Sequence, residues 1–312
     1  MNISVNKKAS HIAEQMMADR EALGVEVSIF PNGTKVIDAS GGSLEAGKLF
    51  AKACMGGLGE VVLASLDFGS FWLPGMSVSV EKPAVACMAS QYAGWAVKVG
   101  EFFAMGSGPA RALYRGEELF ARLSYKDESE EAVILLEART SPDEAVAKHI
   151  AGKCGVAAEN LYILIAPTAS VVGSVQIASR VVETGMHKLM ELGFDIECIT
   201  GGWGTCPIAP VAGNDLKAVG RTNDCVLYGG RVFYFTRTRD EEIERVIERV
   251  PSCSSVDYGR PFFDIFKTCD GDFYKIDPLL FSPAQVIINN LESGRSFQAG
   301  RLNPEVLQTV LE

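Results

Sequence analysis

The sequence predicts an α/β fold of the mixed α+β kind, and three stretches carry that prediction. Residues 161–166 (LYILIA) form a short apolar run that Pro167 ends, which is typical of a buried strand. Residues 132–137 (AVILLE) form a second such run, and Ser, Pro and two acidic residues at 141–144 favour a helix start after it. In 171–189, apolar residues recur at the steps of one helical face: Val171, Val175, Ala178, Val182, Met186 and Leu189.

The other elements follow from the same two periodicities. Helices are predicted over 5–23, 46–55, 83–100, 145–154, 240–250 and 261–266. Strands are predicted over 25–30, 34–39, 61–66, 76–80, 194–199, 225–228, 231–235, 286–289 and 296–299. Turn signals at 31–33, 229–230 and 293–294 predict hairpins, and 105–109 predicts a turn. We interpret the glycine-rich stretch Gly201 to Cys206 as a loop.

Composition limits the function classes. The 312 residues carry a net charge of -10, and 47% of them are hydrophobic, as in an ordinary globular protein. An acidic chain with no basic cluster is a poor nucleic-acid binder, so no nucleic-acid partner is expected. The N-terminus lacks the apolar core of a signal peptide, and no apolar run approaches the ~20 residues that span a bilayer. We therefore predict a cytoplasmic protein with no membrane partner.

The metal-ligating residue types are scattered. The eight cysteines contain no C-x-x-C pair, and the three histidines are far apart in sequence. The sequence therefore predicts reduced, buried thiols and no metal site. The glycine cluster at 56–59 lacks both the Walker lysine and the G-x-G-x-x-G spacing, which argues against a nucleotide site.

A polar stripe lies on the second face of the helix predicted over 171–189. It contains Arg180 and Glu183, which are neighbours at i and i+3. Such a pair is most often an exposed salt bridge worth roughly 0.3 kcal/mol. Here the helix follows directly after a buried strand, where open α/β sheets place ligands, and small residues would let a ligand approach closely. A carboxylate held beside a guanidinium in a cleft suits a general base.

A second candidate site follows the predicted turn at 105–109. Ser107, Gly108 and the N–H groups before Arg111 would form a small anion-binding corner if a helix begins at Pro109. The alternative is a plain tight turn with a helix cap, which local sequence alone favours.

Several long strings resemble one family, the methenyltetrahydromethanopterin cyclohydrolases. These are GWAVKVG (94–100), FAMGSGPARAL (103–113), APTASVVGSVQIASRVVETGMHK (166–188), PIAP (207–210), TNDCVLYGG (222–230) and DFYKIDP (272–278). The resemblance runs from residue 4 to residue 303, nearly end to end. The stretch Gly201 to Cys206 matches no fixed family string, so the resemblance implies no role for it.

The resemblance implies a function and a site. The family hydrolyses the methenyl bridge of a tetrahydropterin one-carbon carrier to the formyl compound, reversibly, with no metal or organic cofactor. Its catalytic pair matches Arg180 and Glu183. We expect six further residues to contact the pterin substrate: Lys98, Ser107, Gly108, Arg111, Thr168 and Ser170. Tyr92 and Trp95 are candidates for stacking on the pterin, although core packing is the simpler role for each.

The resemblance also implies an architecture. Family members are typically homotrimers, with two α/β domains of mixed sheets covered by helices and the substrate pocket between the domains. We predict a first domain of residues 1–80 with 195–312, and a second of residues 81–194 that carries the Arg180/Glu183 helix. A non-catalytic carrier protein that binds the pterin is the alternative function.

Overall fold

The computed structural model describes residues 3–269 and 275–309 and contains two six-stranded mixed sheets flanked by helices. The strands are β1 (Glu26–Ile29), β2 (Lys35–Asp38), β3 (Gly59–Asp67), β4 (Trp72–Val80), β5 (Trp95–Val99), β6 (Phe102–Ser107), β7 (Ala132–Glu137), β8 (Leu161–Ala166), β9 (Ile199–Pro207), β10 (Arg231–Thr236), β11 (Gln285–Asn290) and β12 (Ser296–Gly300). The α-helices are α1 (Val5–Ala18), α2 (Arg20–Leu23), α3 (Leu44–Cys54), α4 (Ala110–Tyr114), α5 (Glu144–Cys154), α6 (Val171–Ala178), α7 (Val181–Glu191), α8 (Asp215–Gly229), α9 (Asp240–Glu244), α10 (Phe262–Thr268) and α11 (Pro304–Gln308). The predicted fold class is confirmed.

The first compact unit comprises Met1–Gly59 and Val85–Gln176. Its sheet has the order β1-β2-β8-β7-β6-β5, and β2, β8 and β7 run parallel. Alternate side chains of β7 enter two different cores: Val133 and Leu135 pack with α1 and α3, whereas Ile134 and Leu136 pack with α5. Burial on both faces is the reason that β7 and β8 read as continuous apolar runs.

The second unit comprises Glu60–Ala84 and Ile177–Glu312. Its sheet has the order β12-β11-β10-β9-β4-β3, in which β10 and β11 are parallel and β9 is antiparallel to both of its neighbours. Helix α7 packs on β9, β10 and β4. The side chains of Val232 and Tyr234 are buried, while the alternate residues Arg231 and Phe235 are exposed.

The two units follow the sheets and differ from the predicted domains of 1–80 with 195–312, and 81–194. Strand β2 pairs in parallel with β8, so the N-terminal hairpin belongs with residues 161–166. Helix α7 packs on strands of the second sheet, so Arg180 and Glu183 belong with residues after 195. Only tertiary pairing distinguishes these assignments, because every segment involved is a regular element in either scheme.

Several helix predictions need correction. The predicted helix over 83–100 is a π-helix (Ala84–Gln91) followed by β5; Tyr92 N donates to Cys87 O, five residues back, at 2.7 Å. In residues 95–99 (WAVKV), the first and third side chains are buried and the second and fourth are exposed, and this period of two is typical of a strand. The helix predicted over 171–189 is broken into α6 and α7, and the helix predicted over 240–250 ends at Glu244, before a 3₁₀ turn at Ile247–Arg249.

Three strand and loop predictions were wrong in the second unit. Gly201 to Cys206 is not a loop, because it lies within β9. The strand predicted over 225–228 lies inside α8, which Asn214 caps by accepting from Lys217 N at 2.9 Å; short apolar runs do not distinguish buried helix from strand. The strand predicted over 194–199 is a 3₁₀ turn (Ile196–Cys198) before β9.

The hairpin predicted at 229–230 is also wrong, because α8 ends at Gly229 and no strand precedes β10 there. Most of the other predictions fare better. The helices predicted over 5–23, 46–55, 145–154 and 261–266 are confirmed, with a break at Asp19 in the first. The hairpins at 31–33 and 293–294 are confirmed as antiparallel pairs. The turn predicted over 105–109 is shorter than expected, because β6 continues to Ser107 and the chain turns only at Gly108. Residues 272–274 of the DFYKIDP string lie outside the described residues.

Within the part of the chain that the structure describes, no helix is both long and apolar enough to cross a bilayer. The eight cysteines all lie in the described part of the chain and form no disulfide, and five of them are buried.

The buried carboxyl of Asp224 predicts a pH-dependent stability. Asp224 lies on α8 and accepts from Phe262 N at 2.8 Å. Burial raises its pKa from 3.8 to about 7; Asp264 adds to the rise, and the Phe262 N–H opposes it. The folded-state pKa lies above the unfolded one, so the stability that the protonated form contributes is complete below pH 3.8 and is lost as pH rises through about 7.

Asp224→Asn keeps an oxygen acceptor and removes the ionisation. We expect it to stabilise the protein more at about pH 8.5 than at about pH 5, by on the order of 2 kcal/mol. Urea unfolding of both proteins at the two pH values measures the difference. An effect that is equal at both pH values would show that Asp224 does not titrate in this range.

Candidate active site

The Arg180 and Glu183 pair lies where a new helix begins. The chain turns between α6 and α7, and Arg180 N donates to Ile177 O, three residues back, at 3.0 Å. Arg180 is the N-cap of α7, and Glu183 is its third residue. A carboxylate in the first turn of a helix is stabilised by the partial positive charge of the free N–H groups there.

Glu183 is buried and Arg180 is partly buried, unlike the members of an ordinary surface salt bridge. Arg180 Nη1 lies 3.6 Å from Glu183 Oε2, and the side chains are only 14% and 8% exposed. The exposed alternative is therefore wrong for this pair. Partly desolvated charges interact more strongly than surface charges, so the guanidinium helps to hold the carboxylate in one orientation.

Contacts on both sides of Glu183 fix the position of α7. Tyr234 Oη on β10 donates to the carbonyl oxygen of Val182 at 2.6 Å, one residue before Glu183. Two residues after Glu183, a Cβ on Gly185 would overlap the Tyr234 hydroxyl oxygen. The tyrosine therefore reaches the helix backbone only because residue 185 is glycine.

The glycines of β9 bring the sheet close to the same turn of α7. A Cβ on Gly202 would lie 2.8 Å from Val182 Cγ1, and one on Gly204 would lie 2.8 Å from Val181 Cγ1. Both distances are too short for real contacts, so the stretch 201–206 serves to let α7 approach the sheet. The sequence analysis missed this role, although the G-x-G alternation at 202–204 was the available signal.

Two further titratable side chains follow on α7. His187 Nε2 lies 3.8 Å from Glu191 Oε1. Burial lowers the pKa of His187; Glu191 opposes this effect and Lys188 adds to it. Burial also lowers the pKa of Lys188 to about 8, and its ammonium donates to the carbonyl oxygen of Leu279. Neither residue was singled out as a site residue from the sequence.

Arg111, in the first unit, has protein partners around its guanidinium. Its Nε and Nη2 donate to the two carboxylate oxygens of Glu117 at 2.8 and 2.6 Å, and its Nη1 donates to Met88 O and Ser90 O at 3.0 and 2.9 Å. The ring of Tyr92 stacks on it at 5.2 Å. The Arg111 side chain is fully buried. Its hydrogen bonds go to a carboxylate and to carbonyls near the end of the π-helix, whereas the sequence analysis predicted a bound anion as its partner.

The other residues of the predicted anion corner lie close to Arg111 in the chain, but Lys98 does not share their location. Ser107 is buried, with Oγ 3.3 Å from Cys54 Sγ. Gly108 has φ +97°, where a side chain would be strained. Lys98 is exposed and pairs with Phe103, four residues or about 14 Å along β6 from Ser107.

Thr168 and Ser170 lie just beyond the carboxyl end of β8. Thr168 Oγ1 donates to Glu137 Oε1 at the end of the parallel neighbour β7. Ser170 Oγ accepts from Gly173 N at 2.9 Å, so Ser170 is the residue that caps α6. These three polar side chains are at the edge where open α/β sheets bind ligands, and Glu137 was missed as a candidate from the sequence.

The two aromatic candidates for pterin stacking have protein partners. The ring of Tyr92 lies against the Arg111 guanidinium. Trp95 is 5% exposed and packs against Tyr114 with ring centroids 4.5 Å apart, which confirms the core role expected for it. Among the described residues, no group of three or more His, Cys, Asp or Glu side chains has the arrangement of a metal site.

Comparison with known proteins decides the family. A family model described as Cyclohydrolase (MCH) matches residues 4–311. The chain belongs to this cyclohydrolase family. Relatives named methenyltetrahydromethanopterin cyclohydrolase include those of Methanocaldococcus jannaschii (45% identical, covering 99% of this chain and 98% of the relative), Methanosarcina barkeri (45%, 98% and 97%) and Methanococcus maripaludis strain S2 (46%, 99% and 98%). The resemblance is thus confirmed, and this cyclohydrolase-family chain is an enzyme.

The packing of α7 gives a prediction for the cyclohydrolase that does not depend on its substrate. Alanine is a better helix former than glycine by about 1 kcal/mol, so Gly152→Ala on α5, where a Cβ meets no atom within 4 Å, should stabilise the protein by roughly 0.5 kcal/mol. Gly185→Ala should instead destabilise it by on the order of 2 kcal/mol, because the new methyl group overlaps the Tyr234 hydroxyl.

Urea unfolding of both variants measures these effects. In a double-mutant cycle, adding Tyr234→Phe should recover part of the loss in Gly185→Ala, since it removes the overlapping oxygen. Equal effects of alanine at positions 152 and 185 would contradict the close approach.

Proposed function

We propose that this enzyme reversibly hydrolyses the methenyl bridge of methenyltetrahydromethanopterin to give formyltetrahydromethanopterin. The observation that carries the proposal is the match to relatives of that name over nearly the whole chain. The largely desolvated Arg180–Glu183 pair supports it independently, because the chemistry requires a base beside a cationic substrate.

The substrate explains why an arginine and a glutamate suffice. The methenyl carbon bridges two nitrogens as part of an amidinium-like cation, so it is already electrophilic. A water molecule needs only a base to accept its proton as the C–O bond forms. The carboxylate of Glu183 supplies that base, and its negative charge favours the bound cation.

The second step breaks one C–N bond. The departing ring nitrogen requires a proton, and protonated Glu183 returns the one that it took from water. Arg180 keeps Glu183 ionised and oriented between these transfers, because its guanidinium lies 3.6 Å from the carboxylate. The roles of both residues are part of the proposal.

The proposed substrate-contact residues of the first unit rest on two kinds of support, their position in the fold and the family resemblance. Thr168 and Ser170 are supported by their position at the carboxyl edge of β8. Lys98, Ser107 and Gly108 rest on the family resemblance. Arg111 is better explained as a residue that holds the segment 88–92, because its guanidinium already donates four hydrogen bonds, two to Glu117 and two to backbone carbonyls.

The Glu183→Gln variant tests the proposed function. We expect it to fold normally and to lower turnover by about 10²–10⁴-fold, because glutamine keeps the shape but cannot accept a proton. Turnover is followed by the absorbance of the purified methenyl substrate. Glu241→Gln, the same change in the exposed first turn of α9, is the control and should retain full activity.

Two results would contradict the proposal. Tight binding of the methenyl substrate by the unaltered protein without conversion would indicate a pterin carrier. A near-normal rate for Glu183→Gln would remove Glu183 from the mechanism while leaving the reaction itself in place.

We also propose that the reaction needs no metal or organic cofactor, since the electrophile is a preformed cation. Incubation with EDTA followed by gel filtration should leave the turnover number within about twofold of its starting value. A large loss that Zn²⁺ or Mg²⁺ restores would overturn this expectation. One-carbon metabolism as the setting and a homotrimeric assembly are part of the same proposal, and both rest on the family resemblance.

A further inference from the structure

Three titratable side chains follow one another along α7 at intervals of four residues. They are Glu183, His187 and Glu191. Residues four apart are neighbours on a helix surface, with about 5–6 Å between Cβ atoms. Their side-chain exposure rises from 8% through 14% to 36%, so the row leads from the buried carboxylate towards the protein surface.

The proton balance of the proposed reaction gives this row a task. The amidinium cation and one water become a formyl amide, an amine and one proton. Of the two protons of water, one goes to the departing nitrogen. The other is released when the hydroxyl of the tetrahedral intermediate becomes the formyl oxygen.

Glu183 is left with that second proton. It accepts the first proton from water, gives it to the departing nitrogen, and accepts the hydroxyl proton as the C=O bond forms. The next turnover requires the carboxylate form again, so one proton must leave a side chain that is only 8% exposed. The reverse reaction must deliver one proton to the same place.

His187 has the chemistry of a proton carrier at this position. An imidazole accepts a proton on one nitrogen and releases one from the other. Burial and the neighbouring Lys188 lower the pKa of His187, which keeps the neutral, accepting form available at neutral pH; Glu191 opposes the shift. Glu191 Oε1, 3.8 Å from Nε2, is the next acceptor and is partly exposed.

We propose that His187 and Glu191 form a relay that carries the proton from Glu183 to solvent in the hydrolytic direction and back in the reverse direction. This inference rests on the proposed function and names residues beyond its catalytic pair. The relay residues act on the proton after the bond changes, so they need not touch the pterin.

The His187→Gln variant tests the relay in dilute buffer. Glutamine retains hydrogen-bonding groups but does not exchange a proton near neutral pH, so turnover should fall about tenfold or more. Added imidazole should restore most of the rate, because a small diffusible base replaces the missing carrier. His11→Gln, which alters an exposed histidine on α1, should match the unaltered enzyme with and without imidazole.

The outcomes separate the relay from the reaction itself. Normal turnover of His187→Gln in dilute buffer, or a loss that imidazole does not restore, overturns the relay while the cyclohydrolase activity stands. If circular dichroism shows that this variant does not fold, Glu191→Gln carries the test, with a smaller loss and the same restoration expected; no restoration overturns the proposal. An unaltered enzyme without turnover overturns the proposed function, and the relay with it.

Discussion

The close packing of α7 on the second sheet is the constraint on which the candidate active site depends. Glycines at 202 and 204 remove the side chains that would hold the helix away, and Gly185 admits the Tyr234 hydroxyl to the helix backbone. The resulting hydrogen bond to Val182 O fixes the residue before Glu183. A general base must be held within a fraction of an ångström of its working position, and rigid packing next to it is how a fold achieves that.

The same helix combines three electrostatic effects. The N-terminus of the helix favours the charge of Glu183 in the first turn, the adjacent Arg180 does the same, and partial burial strengthens both interactions. In the proposed mechanism, a carboxylate held in this way accepts the proton of the attacking water. The arrangement suits a reaction whose electrophile is already cationic, since the protein then has to supply only a base and a proton path.

The first unit shows a different use of charge. Arg111 forms a bidentate pair with Glu117 and donates to two carbonyls near the end of the π-helix, where the last carbonyls of a helix have no partner within the helix. Long π-helices are rare and are often found near functional sites. A buried guanidinium that closes such a segment stabilises an otherwise costly backbone.

The sequence by itself determined the elements whose signal is local: the apolar runs of β7 and β8, the two confirmed hairpins, and the Arg180–Glu183 spacing within a family-specific string. It also predicted a mixed α/β fold. Tertiary structure decided the rest. Whether Gly201 to Cys206 is a loop or a central strand and whether 225–228 is strand or helix both depend on partners distant in the chain. Hydrogen-bond pairing and burial select among conformations that local sequence leaves nearly equal in free energy.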